Sequence, residues 1–162
     1  MQVQGAAKLW KLPPLLKVYE AFGALANGRI KITGPSSAVV LSSDRNKEYV
    51  VELSEDGRVV SSNDNASYWQ GYLGYPAIAV LIARGLLERP PEAVLGALAG
   101  IEWKKLNERA RGDHARAGAE LARILAERGQ AAEPLQAAAE AVVQALRRLG
   151  LRQGRRRRPP QP

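Results

Sequence analysis

Residues 48–87, EYVVELSEDGRVVSSNDNASYWQGYLGYPAIAVLIARGLL, contain the pattern that decides the fold. The apolar run over 48–53 predicts a strand, and Glu55-Asp56-Gly57 predicts a hairpin turn into a second strand over 58–61. After a polar and aromatic segment, Pro76–Leu87 predicts a helix, with proline at its first position, where no backbone N–H is needed. This helix is apolar on nearly every face, so we expect it to be buried under the strands.

The residues before this stretch extend the sheet and add another helix. Leu15 to Ala26 carries an apolar stripe at three- and four-residue spacing, which is typical of an amphipathic helix, and Asn27-Gly28 suits its C-cap. Extended segments over 29–33 and 38–42 follow, separated by a Gly-Pro-Ser turn. The sequence therefore predicts a small antiparallel β-meander of three to four strands packed on a buried helix.

The residues after Pro90-Pro91 predict a helical C-terminal half. The expected helices are 92–99, 103–110, 115–128 and 134–149. The last two carry short apolar seams and are joined by a short loop, which is typical of an αα-hairpin. The fold class is thus α+β, with an α+β domain at 1–89, a helical region at 90–150 and an Arg/Pro-rich tail at 151–162. After Leu151 the tail consists of Arg, Gln, Gly and Pro, which cannot form a core, and it is expected to be disordered.

Three motifs in this order suggest a family. They are Tyr49-Val50-Val51-Glu52-Leu53, Val60-Ser61-Ser62-Asn63-Asp64 and Gly74-Tyr75-Pro76-Ala77-Ile78-Ala79-Val80-Leu81. Together they resemble a SWIM domain, in which strands and a hairpin precede C-x-C-x-D, a loop, C-x-H and an apolar helix. The four zinc-ligand positions hold Val60, Ser62, Gly74 and Pro76 instead. The resemblance therefore implies a zinc-free relative, stabilised by hydrogen-bonding turn residues and aromatic packing, and a role in binding DNA or protein.

The net charge of +8 is concentrated at the C-terminal end. Seven arginines and no acidic residue follow residue 146, which leaves the rest of the chain at +1. Guanidinium groups bridge phosphate oxygens, so such a tail predicts salt-dependent binding to RNA or DNA without sequence specificity. The predicted phosphate-binding residues are Arg147, Arg148, Arg152, Arg155, Arg156, Arg157 and Arg158. The alternative is a solvated end that binds nothing specific.

Aromatic residues alternate with glycines between positions 68 and 75. Tyr68 and Tyr72 are candidates for stacking on nucleobases, because every base presents a flat face to an aromatic ring. The alternative is that the aromatic side chains of this segment anchor the core, since Trp and Tyr are usually well buried.

The sequence offers no group of residues that requires catalysis to explain it. The lack of cysteine excludes disulfides, thiolate metal sites and cysteine nucleophiles. The single histidine, His114, lies near a predicted helix start and is expected at the surface, and no serine lies in a G-x-S-x-G elbow. Asp44, Asp56 and Asp64 lie in predicted turns, where Asp bonds nearby backbone N–H groups. We expect no cofactor, no metal and no enzymatic activity.

Targeting signals and membrane segments are not expected. The longest apolar run, 76–83, is too short to span a bilayer, and no signal-peptide pattern is present. The absence of cysteine favours a cytoplasmic location. Low methionine content and abundant Arg, Ala, Leu and Gly are typical of a thermophile and favour an archaeal-type source.

These features favour a non-catalytic protein associated with nucleic acid, as an accessory of the ribosome or of chromatin, that contacts phosphates through its arginine tail. The sequence leaves open whether the partner is RNA or DNA. The alternative is a protein–protein interaction or oligomerisation module built on the C-terminal helical hairpin, because its apolar seams would also suit a partner helix.

Overall fold

The computed structural model describes residues 7–161 and has the α+β class that the sequence predicts. The helices are α1 (Leu15–Ala26), α2 (Tyr75–Ala83), α3 (Glu92–Ala97), α4 (Trp103–Arg109), α5 (His114–Glu127) and α6 (Glu133–Leu149). The strands are β1 (Ile30–Gly34), β2 (Ser37–Leu41), β3 (Glu48–Leu53), β4 (Val59–Ser62) and β5 (Arg152–Gln153). A π-helical turn, Ala66–Gln70, lies between β4 and α2.

The sheet has the strand order β1-β2-β3-β4-β5. Strands β1 to β4 form the predicted antiparallel meander, in which Val39 lies opposite Val50 and Val51 lies opposite Ser62. Strand β5 pairs with β4 in parallel. The sheet is therefore mixed rather than purely antiparallel, because the C-terminal end of the chain returns to the open edge of the meander.

Helices α1 and α2 pack against each other and supply the centre of the core. Every residue from Pro76 to Ile82 is buried, as the apolar sequence of α2 predicts. Buried apolar side chains from both the 1–89 and the 90–150 segments belong to one continuous cluster. None of the helices within 7–161 is long and apolar enough to cross a membrane.

Helix α2 ends at Ala83, four residues before its predicted end. Gly85 adopts φ +82°, a left-handed conformation that terminates the helix, and the N–H groups of Leu86 and Leu87 donate back to the carbonyl of Leu81. The Arg84 guanidinium donates to the carbonyls of Gly34 (3.1 Å) and Pro35 at the β1–β2 turn. The Arg84 contacts with the distant β1–β2 turn could not be predicted from the sequence of α2 itself.

Helices α5 and α6 have the predicted apolar seams but do not pack on each other as an αα-hairpin. Helix α6 lies mainly against α1, whereas α5 lies against α4 and α1. The buried seam residues are Ala117, Leu121 and Leu125 in α5 and Leu135, Ala139, Val142 and Leu146 in α6. Both seams are therefore covered within one chain.

The start of the Arg/Pro-rich tail lies against the sheet edge, so the prediction of a disordered tail is not confirmed for residues 151–155. Leu151 is buried, and the N–H groups of Arg152 and Gly154 donate to the carbonyls of Arg58 and Val60 at 2.9 Å. The Ser61 hydroxyl donates to the Arg155 carbonyl at 2.5 Å. Composition predicts disorder because the tail has little to bury, but an open strand edge can hold a segment through hydrogen bonds to its backbone.

The buried Asp64 carboxylate ties the end of β4 to the start of α2. Its Oδ1 accepts hydrogen bonds from the hydroxyls of Ser62 (2.5 Å) and Ser67 (2.6 Å), and its Oδ2 accepts from the Ser67 N–H at 3.1 Å. The Gly74 N–H in turn donates to the Ser67 hydroxyl at 3.0 Å. We call Ser62, Asp64, Ser67 and Gly74 the Asp64 cluster. All four residues are buried, so each hydrogen bond forms away from water and removing a partner is costly.

Gly74→Ala tests how tightly this cluster is packed. A Cβ at position 74 would overlap Asp64 Oδ2 and lie 2.6 Å from Asp64 Cγ, so the carboxylate must move and lose its partners. We expect a loss of about 2 kcal/mol or more in the free energy of unfolding, measured by urea denaturation.

The matched control is Gly118→Ala within α5, where an added Cβ meets no atom within 4 Å. This variant should gain about 0.5–1 kcal/mol, because alanine favours a helix interior over glycine. Equal stability of the two variants would contradict the description of the Asp64 cluster.

Amide hydrogen exchange tests the order of the tail. The amides of Arg152, Gln153 and Gly154 donate to backbone carbonyls at 2.7–2.9 Å, whereas those of Arg156 and Arg158 donate to none within 7–161. We expect the first three to exchange on the order of 100-fold more slowly, relative to unfolded rates, than the last two. Unfolded rates at all five amides would show that the tail is disordered in solution.

Candidate nucleic-acid interface

A groove with a volume of about 500 Å³ lies beside the β4–β5 edge. Three separate parts of the chain form it: the segment 8–11, the segment around the π-helical turn, and the start of the tail. The side chains and backbone that line it belong to Lys8, Leu9, Trp10, Lys11, Ser62, Ser67, Tyr68, Trp69, Gln70, Gly71, Gln153, Gly154, Arg155 and Arg156. We call it the basic groove.

Backbone hydrogen bonds hold the first wall of the basic groove in place. The Trp10 N–H donates to the Leu151 carbonyl, and the Lys11 N–H donates to the Gly71 carbonyl, both at 2.9 Å. The Trp10 indole N–H donates to the Val60 carbonyl at 3.1 Å. The exposed ammonium groups of Lys8 and Lys11 are therefore carried by a fixed strand-like segment rather than by a loose end.

The π-helical turn presents an aromatic side chain to solvent. Trp69 is 67% exposed, which is unusual for tryptophan, and its ring packs edge-on against that of Tyr68 with centroids 4.6 Å apart. The turn is fixed from below by Ser67 of the Asp64 cluster, and it ends at Gly71, whose φ of +78° favours glycine. Trp69 is thus an exposed ring on a rigid support.

The two predicted stacking residues are placed differently from Trp69. The Arg156 guanidinium lies 4.0 Å from the centroid of the Tyr68 ring and donates to the Tyr68 carbonyl at 3.1 Å, so one face of Tyr68 is covered. Tyr72 is half-buried outside the groove, in a backbone bridge with Lys11. The freely exposed ring is that of Trp69, which was not predicted as a stacking residue. The sequence signal for its exposure is its place in a polar turn that ends at a glycine.

The seven predicted phosphate-binding arginines do not form one patch. Arg155 and Arg156 line the basic groove, and Arg152, at its end, donates to the Ala7 carbonyl at 2.8 Å. Arg157 instead forms an ion pair with Glu52 at 3.0 Å. Arg158 is exposed beyond that pair.

The two arginines of α6 lie on different sides. Arg147 lines a smaller adjacent cavity together with Leu9 and Trp10, whereas Arg148 lines a separate groove formed by residues 86–91 and α6. Successive helix residues diverge by about 100°, which is why neighbours in sequence separate here.

The charge of the basic groove has one sign. Four cations line it, Lys8, Lys11, Arg155 and Arg156, and among the described residues no carboxylate does. A recessed surface lined by one sign of charge raises the local concentration of oppositely charged partners. Together with the Trp69 ring, the groove is able to neutralise phosphates and to stack a base.

The resemblance to a SWIM domain would place zinc-ligand positions at Val60, Ser62, Gly74 and Pro76, and of these Ser62 lines the basic groove. Ser62 and Gly74 belong to the Asp64 cluster, and Val60 and Pro76 are buried in the adjoining core. A hydrogen-bonded carboxylate thus joins two of the four positions. His114, the single histidine, is the exposed first residue of α5, as its sequence position predicts.

The turn aspartates also act as their positions predict. Asp44 Oδ1 accepts from the Asn46 N–H at 3.0 Å and Asp56 Oδ1 from the Arg58 N–H at 2.9 Å. These backbone hydrogen bonds, with those from Ser42 and Ser54, hold the pKa of both carboxyls below the ordinary value. Both aspartates therefore have structural roles in β-hairpin turns.

Comparison with known proteins gives one family. The model of the family described as "Uncharacterised conserved protein UCP014422" matches residues 10–152, which covers most of the chain. No curated protein and no solved structure matches. The matched region includes all six helices, the meander and the Asp64 cluster, and it ends within β5.

Proposed function

The chain belongs to the family Uncharacterised conserved protein UCP014422, and we propose that it binds single-stranded RNA or DNA in the basic groove. The observation that carries this proposal is the exposed Trp69 ring beside four cations in one groove. Proteins that hold single strands combine these same parts, a positive channel for phosphates and an aromatic ring for the bases. The role is non-catalytic.

The groove geometry favours a single strand over a duplex. A base can stack on Trp69 only after it leaves its neighbours, which in a duplex requires unstacking and unpairing. The cations face into a recess rather than across a broad convex face, so the charge suits one backbone better than two. Sequence-independent binding of a single strand suits an accessory role on the unpaired segments of ribosomal RNA better than a role on chromatin, whose DNA is duplex.

The tail contributes through its ordered start rather than as a free basic arm. Arg155 and Arg156 are placed in the groove by β5 and by the Arg156–Tyr68 contact. Phosphate contacts made by pre-positioned side chains lose less conformational entropy on binding than those of a flexible arm. Substitutions rather than truncations are therefore the informative variants, since deletion of 152–162 would also remove β5.

The alternative role, as an oligomerisation module, would need an exposed apolar seam on α5 or α6. The apolar residues of α5 and α6 that would pair with a partner are buried inside the chain. An interface built on them would require the helices to leave α1, and this observation favours the basic groove as the binding surface.

Trp69→Ala tests the stacking role. Loss of one stacked base lowers affinity by about 1–3 kcal/mol, a factor of roughly 5 to 150, while Trp69→Phe should retain much of the binding. The measurement is fluorescence anisotropy with labelled oligo-uridylate and oligo-thymidylate of about 12 nucleotides, a length within the usual range of single-strand sites. A duplex of equal length serves as the comparison. Unchanged single-strand affinity in Trp69→Ala would contradict the proposal.

Lys11→Ala tests the phosphate contacts in the same assay. The slope of log affinity against log salt should fall by about 0.7, the value for one phosphate contact on a single strand. Arg148→Ala is the matched control, because it removes the same charge from an exposed residue outside the basic groove. Equal changes in both variants would indicate diffuse attraction to the whole protein rather than binding in the groove.

A further inference from the structure

A second recess, with a volume of about 270 Å³, adjoins the basic groove at the segment 9–11. The residues that line it are Leu9, Trp10, Lys11, Leu12, Pro13, Leu73, Leu146, Arg147, Gly150 and Leu151. We call it the leucine pocket. Leu9, Trp10 and Lys11 also line the basic groove, so the two recesses share one wall. The proposed function places no part of the nucleic acid in the leucine pocket.

The shared wall is a fixed part of the fold. Besides the backbone hydrogen bonds of Trp10 and Lys11 described above, the Gln153 N–H donates to the Lys8 carbonyl at 2.7 Å. A ligand that lies across this wall does not have to order it first. Binding therefore loses little conformational entropy there.

The shared wall presents apolar surface to solvent. Leu9 is 52% exposed, and Leu9 and Trp69 are the large apolar side chains exposed in the basic groove among the described residues. The indole N–H of Trp10 is already bonded to the Val60 carbonyl, so this ring adds apolar surface without an unpaired donor. Covering such surface with a ligand is favourable, because apolar area leaves water.

The interior of the leucine pocket is also apolar. Leu73, Leu146 and Leu151 are buried residues that line its base, and Leu12 and Pro13 line its side. The volume equals that of about nine waters, which is comparable with the number of non-hydrogen atoms in a pyrimidine base. The pocket therefore has the size and the surface to hold one nucleobase.

The charge of the leucine pocket has the same sign as that of the basic groove. Its charged residues are Lys11, on the shared wall, and Arg147, in the last turn of α6. Both side chains are exposed, and within residues 7–161 neither forms an ion pair. Among the described residues no carboxylate lines the pocket. Apolar surface for a base thus lies beside cations for phosphates, as it does in the basic groove.

Another recess next to α6 lacks this combination. The groove formed by residues 86–91 and α6 contains the Glu88 carboxylate together with Arg89 and Arg148, so its charge is mixed. It also shares no residue with the basic groove. Of these two recesses, the leucine pocket alone continues the surface on which we propose that a single strand lies.

The cations decide between the possible occupants of the leucine pocket. An aliphatic side chain of a protein partner would fill its apolar interior but would leave the charges of Lys11 and Arg147 without an anion. A nucleotide carries both parts, a flat base and a phosphate on either side of it. The continuity with the basic groove favours a nucleotide of the same strand.

We infer that the leucine pocket is a second base site for the strand that binds in the basic groove. One nucleobase lies against the leucine side chains, the strand crosses the shared wall at Leu9, and the phosphates on the two sides of this base contact Lys11 and Arg147. The inference rests on the proposed function, because it places a further part of the same strand. It also assigns a phosphate contact to Arg147 and none to Arg148.

Arg147→Ala and Arg148→Ala test the phosphate contact as a matched pair. Both residues are exposed in the last turn of α6, so each variant removes one charge and one favourable interaction with the helix end. The probe is oligo-uridylate of about 12 nucleotides, added to the full chain. The slope of log affinity against log salt should fall by about 0.7 in Arg147→Ala and by much less in Arg148→Ala. Equal slopes in the two variants would overturn the Arg147 contact.

The leucine methyl signals in an NMR spectrum test the position of the base. Leu12 lines the leucine pocket but not the basic groove, and Leu12→Val identifies its signals by their loss. Oligo-uridylate should shift these signals saturably, because the ring current of a base acts on nearby methyl groups. An abasic oligomer of the same length keeps the phosphates and should shift them much less. Equal shifts with the two probes, or none with either, would overturn the base site.

The outcomes separate this inference from the proposed function. Weaker binding in Trp69→Ala, with unchanged binding in Arg147→Ala and unshifted Leu12 signals, would overturn the leucine pocket and support the basic groove. Shifted Leu12 signals with unchanged affinity in Trp69→Ala would support the leucine pocket and overturn stacking on Trp69. Absence of single-strand binding would overturn both. Vesicles of phosphatidylglycerol are the comparison, and Leu12 shifts with vesicles alone would assign the pocket to lipid instead.

Discussion

The buried Asp64 carboxylate is the constraint on which the functional half of the molecule depends. It accepts three hydrogen bonds from Ser62 and Ser67, and Ser67 in turn accepts from Gly74, so the end of β4, the π-helical turn and the start of α2 are fixed together. A buried charge of this kind is stable only while all its donors are present. The cluster also occupies the region where the resemblance to a SWIM domain implies that hydrogen bonds replace zinc ligands.

The elements that this cluster joins place the surfaces on both sides of it. On one side, the π-helical turn holds Trp69 outward beside the tail, which is anchored to β4 through backbone hydrogen bonds. On the other side, the start of α2 places Tyr75 against Tyr49 and Arg29. The basic groove has the exposed cations and the aromatic ring that suit a polyanion.

The arginines of the C-terminal end have different structural positions, which the net charge does not reveal. Seven arginines lie after residue 146, but they face several surfaces: Arg155 and Arg156 enter the basic groove, Arg157 pairs with Glu52, and Arg148 lies elsewhere. Part of the positive charge is thus used inside the fold. Surface ion pairs such as that of Arg157 with Glu52 contribute little to stability.

The sequence by itself determined the elements whose signals are local. Helix α1 and strand β3 have their predicted bounds, and α2 is buried as its composition predicts, because periodicity and turn residues act within a few positions. The tertiary structure decided the placement of the start of the tail and the groove between residues 8 and 156, through contacts between segments that are distant in the chain. The burial of Glu20 was predictable, since it lies four residues after Leu16 on the buried stripe of α1. Its hydrogen bond with Asn107 was not predictable. A local sequence pattern predicts which face of an element is apolar, but it does not predict which distant group covers that face.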